Sequence, residues 1–186
     1  MDHATIQRWV YKFMPEIDIQ MRKRKKVVGK RWSPDSYRED ETYIKVTGIW
    51  RYLYRAVNKD GHTIDFLLTK RRQRMSTQSF LIKVIGNNGT PELINIDKSG
   101  SNKSAIKIYN KRSFTNIEIR QCKYLNNIVE QDHRFIKWNI QQGLGFKNFE
   151  SAKRTLAGIE IVHMIRKNQL NTQEQSTFKS FYSLAA

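Results

Sequence analysis

The chain has a single cysteine, Cys122, in 186 residues. That excludes an internal disulfide and any zinc site built on a cysteine cluster, and it suggests a reducing compartment. No apolar run approaches the roughly 20 residues of a membrane span. The opening MDHATIQRWV lacks the basic leader and apolar core of a signal peptide. Acids are scarce: Asp and Glu total 17 against 34 Lys and Arg, a net charge of +17. A cationic excess of this size points to a polyanionic partner, because each phosphate neutralised releases condensed counterions. A membrane surface would favour one basic amphipathic helix, whereas here the cations run along the whole chain, so nucleic acid is the better match. With 39% hydrophobic and 11% aromatic residues, the composition suits one ordinary domain with extra segments rather than disorder.

Along the chain, residues 4–14 set Ile6, Trp9, Val10 and Phe13 on one helical face. Five consecutive cations follow, Arg22, Lys23, Arg24, Lys25 and Lys26, read as a solvated, mobile linker able to grip phosphate. SPDS at 33–36 is a turn signal. Three strands are predicted over Thr42–Val46, Trp50–Val57 and His62–Thr69, joined by Thr47-Gly48 and by NKDG. A helix over 71–87 ends at GNNG. ELINID (92–97) is a short strand, and a short helix near 103–111 and a strand near Ile117–Gln121 come next. Helices over about 124–141 and 148–168 close the pattern, and the polar tail from Asn171 reads as loose. Three antiparallel strands, then helix, strand, helix, strand and helix, is the order of a ribonuclease-H-like α/β fold with a mixed sheet.

The acids sit at telling places in that order. Glu39, Asp40 and Glu41 stand before the first strand, and Asp97 ends the fourth. A third acid would come from the helix in YLNNIVEQDHRFIKW. There Tyr124, Leu125, Ile128, Val129, Phe135, Ile136 and Ile140 form an apolar stripe. Glu130 lies opposite it with Asn126, Asn127, His133, Arg134 and Lys137, while Asp132 falls inside the stripe; periodicity leaves either acid open. Three carboxylates suit magnesium, a hard cation that takes oxygen ligands, and two such ions can clamp a phosphodiester.

DETYIKVTGIWRYLYRAVNKDGHTIDFLL and KYLNNIVEQDHRFIK resemble the catalytic domain of bacterial insertion-sequence transposases with an Asp-Asp-Glu triad, most nearly insertion-sequence family six. The resemblance spans about residues 4–168. It implies Asp40, Asp97 and Glu130 as catalytic acids and ligands of two magnesium ions (manganese the alternative), with Lys137 on the DNA backbone. It also implies a DNA transposase that cuts element ends and joins them to target DNA, as a homodimer or larger synaptic assembly, in the bacterial cytoplasm on the nucleoid. Glu39 replaces an apolar residue of the family pattern, DKSG lacks its Ala-Pro, and the 32 residues between Asp97 and Glu130 are a slightly short spacing. DHATIQRWV is similar to the recognition helix of a helix-turn-helix whose preceding helix is absent, the expectation for a truncated copy. The implied division is a helix-turn-helix remnant at 1–20, a basic linker at 21–36, the catalytic core at 37–170 and the polar tail at 171–186. Two rivals stand beside it: an inactive DNA-binding remnant, and a ribonuclease-H-like nuclease that does not join.

Smaller signals complete the reading. His133 reads as a structural or DNA-contact residue, Arg134 as a phosphate-binding neighbour of Glu130 or its i, i+4 ion-pair partner, and Arg71 and Arg72, in KRRQR, as a DNA-backbone grip or a solvated helix start. His163, in AGIEIVHMIR, reads as a satisfied core histidine. Trp32, Trp50 and Trp138 read as core or rim packing rather than base-stacking platforms.

Overall fold

A computed structural model describes residues 2–27, 31–35, 43–58, 60–71, 74–96, 100–121, 134–140, 145–171 and 174–185. They fall into two compact units. One is the contiguous stretch 27–134, and the other joins 1–26 to 135–186.

The first unit is built on a six-stranded sheet of β1 (Arg31–Asp35), β2 (Tyr43–Val46), β3 (Ile49–Asn58), β4 (Thr63–Thr69), β5 (Leu93–Ile96) and β6 (Glu118–Gln121). β2, β3 and β4 form the expected meander. Thr47 and Gly48 turn it with φ of 50° and 77°, the left-handed pair that matches strand twist in a tight hairpin. At the second turn the Asn58 side-chain carbonyl accepts from the backbone N–H groups of Asp60 and His62, each at 2.9 Å. β1 pairs antiparallel with β3 and parallel with β5, which pairs parallel with β6. Parallel strands need crossovers, supplied by α2 (Arg74–Asn88) and α3 (Gly100–Ser113). Phe80 and Val84 of α2 and Ile106 of α3 bury against Ala56, Ile94 and Ile96 of the sheet.

β1 differs from expectation. Ser33, Pro34 and Asp35 lie in a strand rather than a turn. β1 and β2 pair with successive parts of β3: Asp35 opposes Arg55 and Tyr43 opposes Tyr52. Seven residues (36–42) separate Asp35 from Tyr43, while two (53 and 54) separate their partners. In sequence, the stretch between β1 and β2 that contains the acidic triplet is therefore five residues longer than the β3 segment between their partners.

The second unit packs α1 (His3–Arg24) against α5 (Phe149–Arg166), with α4 (134–140) and α6 (Thr177–Ser183) beside them. α1 runs ten residues beyond the predicted 4–14 and passes through Pro15. Its buried seam is Met14, Ile17 and Met21, whereas Ile6, Trp9 and Phe13 of the predicted apolar face are nearly half exposed. Met14 reaches α5 at Gly158, where a side chain would come within 3.2 Å of its terminal methyl. Asn148 caps α5 by accepting from the Ser151 N–H at 2.6 Å. The tail from Asn171 is not loose throughout: α6 buries Ser180, Leu184 follows it inside, and the Ser176 hydroxyl caps its start.

Candidate active site

Two of the three sequence-predicted acids follow neighbouring strands. Asp97 comes directly after β5, and Asp40 stands five residues beyond the end of β1. Because β1 and β5 run parallel with Trp32 level with Ile94, the chain leaves both at the same sheet edge. Open α/β sheets bind ligands outside the carboxyl ends of their strands. Asp40, Asp97 and Glu130, with Asp132, His133 and Arg72, lie outside the described residues. Among the described residues no three His, Cys, Asp or Glu gather as a metal site requires.

The predicted DNA-binding cations divide by environment. Arg134 opens α4 and is exposed, and Lys137 one turn on is half-buried. Arg71 is exposed just past β4, with its carbonyl accepting from the Thr69 and Ser76 hydroxyls. The run at 22–26 is not a free linker. Arg22, Lys23 and Arg24 form the last turn of α1, where positive charge complements the helix dipole. Arg22 Nε pairs with Asp18 at 3.0 Å. Arg24 Nη1 donates to the Ser183 carbonyl at 2.5 Å, and Lys26 Nζ to the Asn168 carbonyl at 2.8 Å. Lys25 forms a β-bridge with Leu170. Lys23 is exposed on the same turn.

The chain matches the DDE domain family of IS240-type transposases over residues 34–169. It is 37% identical over 174 residues to the Staphylococcus aureus transposase for insertion sequence-like element IS431mec, covering 92% of this chain and 74% of that one. The transposase for insertion sequence element IS257 in transposon Tn4003, also from Staphylococcus aureus, matches equally. The chain belongs to the DDE transposase family. Among solved structures, the catalytic core of HTLV-2 integrase in complex with magnesium aligns with a TM-score of 0.53 at 16% identity, over 88% of this chain and 100% of that one. The BIV integrase core aligns with 0.52 at 13% identity, over 84% and 95%. Both likenesses place the transposase sheet in the ribonuclease-H-like fold. The sheet order bears this out, with β3 and β4 on one side of β1 and the parallel β5 and β6 on the other.

His163 is the core residue expected of it: it is buried and stacks on Phe135 of α4 at 4.2 Å between ring centroids. Two transposase residues escaped the sequence reading. Arg55 is fully buried on β3 and donates to Thr63 Oγ1 at 3.4 Å. Asp65 is buried on β4 and accepts from Lys83 Nζ at 2.9 Å and Asn87 Nδ2 at 2.8 Å, tying α2 to the sheet. A charge inside an otherwise apolar strand, as in TIDFLL, was the available signal. Of the core-or-rim expectation only the rim fits Trp50 and Trp138, which are 54% and 59% exposed.

Proposed function

We propose that this chain cuts the phosphodiester at the ends of a DNA element and joins the freed 3′-hydroxyl to target DNA. The supporting observation is the parallel pairing of β1 and β5, the strands that lead toward Asp40 and into Asp97, in a chain of the DDE transposase family. Asp40, Asp97 and Glu130 would hold two divalent ions, magnesium with manganese as a substitute; an all-carboxylate set is what such a hard cation takes. When bound, the ion pair supplies charge stabilisation for the attacking and leaving oxygens. The remaining catalysis is positioning. In this reading His133, Arg134 and Lys137 hold the backbone beside the scissile bond. Arg71, Arg72 and the run from Arg22 through Lys23, Arg24, Lys25 and Lys26 hold flanking DNA. Residues 37–170 form the catalytic core and 1–20 a DNA-reading segment. Joining two element ends calls for a homodimer or a larger synaptic assembly, working on the bacterial nucleoid.

The test is strand transfer with magnesium on element-end DNA. The expected result is joined product, with Asp97→Asn lowering cleavage at least about a hundredfold while DNA affinity holds, since binding rests on Lys and Arg. Cleavage that survives the substitution removes Asp97 from the site. Cut product without joined product makes the chain a nuclease.

A further inference from the structure

The β2–β3 hairpin carries an aromatic ladder that runs from the core margin to the surface. Tyr43 and Tyr52 oppose each other across the strands with ring centroids 5.2 Å apart, edge to face. Trp50 lies 6.2 Å from Tyr43. The Lys45 ammonium sits 5.6 Å over the Trp50 ring, and Lys45 and Trp50 are register partners. Tyr52 packs at the margin of the core under α2, so the ladder extends that core face outward, and at its end Trp50 is more than half exposed.

Charge tells what would cover it. Among the described residues 43–54 and 66–71 there are four cations, Lys45, Arg51, Lys70 and Arg71, and no acid. Arg51 Nη1 donates to the Lys70 carbonyl, tying two of these residues together at 2.9 Å. An exposed ring beside a cation on one face of a sheet, as Trp50 and Lys45 are, is the chemistry of single-stranded nucleic-acid binding, in which bases stack on rings and cations follow the backbone. Place supports this. β1 pairs with residues 55–58 of β3 and β2 with residues 49–52. The hairpin therefore projects past the carboxyl end of β1, the edge from which the chain leads on to Asp40 and Asp97.

We propose that Trp50, backed by Tyr43 and Tyr52 and flanked by Lys45, forms a stacking platform for unpaired bases of the DNA on which this chain acts. The proposal rests on the transposase reading but concerns binding rather than cleavage. Cations with no acid among them on this segment favour a polyanion over a protein face.

The experiment measures the affinity of the full chain for a single-stranded oligothymidine and for a duplex of equal length at fixed salt. Variants are Trp50→Ala, Trp50→Phe and Tyr43→Ala, each checked for an unchanged circular dichroism spectrum. Trp50→Ala should weaken single-strand binding roughly fivefold to a hundredfold, the span of losing one base–aromatic stack, while duplex affinity stays within twofold. Trp50→Phe, which keeps a ring, should recover most of the loss, and Tyr43→Ala covers the case in which Trp50→Ala does not fold. Unchanged single-strand affinity in these variants, or equal loss on both DNAs, overturns the platform. Loss of self-association with DNA affinity intact overturns it in favour of a protein contact. Failure of the parent chain to bind either DNA sinks the transposase reading itself, whereas duplex binding with no stacking effect sinks the platform alone.

Discussion

At the residue scale, the third acid is the sharpest question that periodicity left open. By sequence period Asp132 falls on the stripe of Phe135 and Ile136, and Ile136 is buried. The family resemblance names Glu130 instead. Glu130→Gln should therefore lose cleavage as Asp97→Asn does, by at least about a hundredfold, while Asp132→Asn leaves it standing; single-turnover cleavage rates decide. Asp65 makes a different prediction. It joins β4 to α2 through two side-chain donors, and Asp65→Leu strands them. Lys83 is 31% exposed and can turn toward water, so the cost should fall at roughly 1–3 kcal/mol, near that of an unsatisfied buried partner. The urea midpoint of unfolding reads it; no shift would mean that the tie is ornamental.

At the element scale, the meander was legible because its turns carry their own chemistry. Thr47-Gly48 and Asp60-Gly61 fix the hairpins, and β-branched and aromatic residues fill the strands between them. β1 was not legible, because SPDS has the composition of a turn, yet Ser33, Pro34 and Asp35 enter the sheet against β3 while Arg31 and Trp32 before them also pair with β5. Tertiary pairing overrode local preference there. α6 was hidden for the opposite reason. Its large aromatics, Phe178 and Tyr182, are exposed, while the serine Ser180 is what goes inside, so no apolar period marks it. The acids were placed by strand ends and by family resemblance, and Arg55 and Asp65 were missed because pattern reading treats a buried charge as noise. Arg24, bonded to the Ser183 carbonyl, ties α6 to α1. Arg24→Ala should lower the melting temperature and speed proteolysis after α6, and a clipping pattern identical to that of the parent would refute the tie.

At the scale of the whole molecule, a charge of +17 makes DNA affinity a function of salt. Each phosphate contact contributes roughly −0.9 to the slope of log affinity against log salt. Lys23 is exposed on the turn that also holds Arg24. Lys23→Ala should flatten the slope by about one contact, approximately 0.9, with the melting temperature unchanged. A slope that does not move would show that this turn stays clear of DNA.

The unit that joins 1–26 to 135–186 has a consequence on the ribosome. The stretch 27–134 is contiguous and can close as it emerges, but α1 is made before it and its packing partner α5 after it. Between Arg24 and Phe149 lie 124 residues, roughly 6–25 s of synthesis at about 5–20 residues per second. For that interval Met14, Ile17 and Met21 have no α5 to cover them. The nascent chain carries an uncovered apolar seam on α1 until α5 emerges, while the sheet closes in between, which opens α1 to chaperone capture or aggregation.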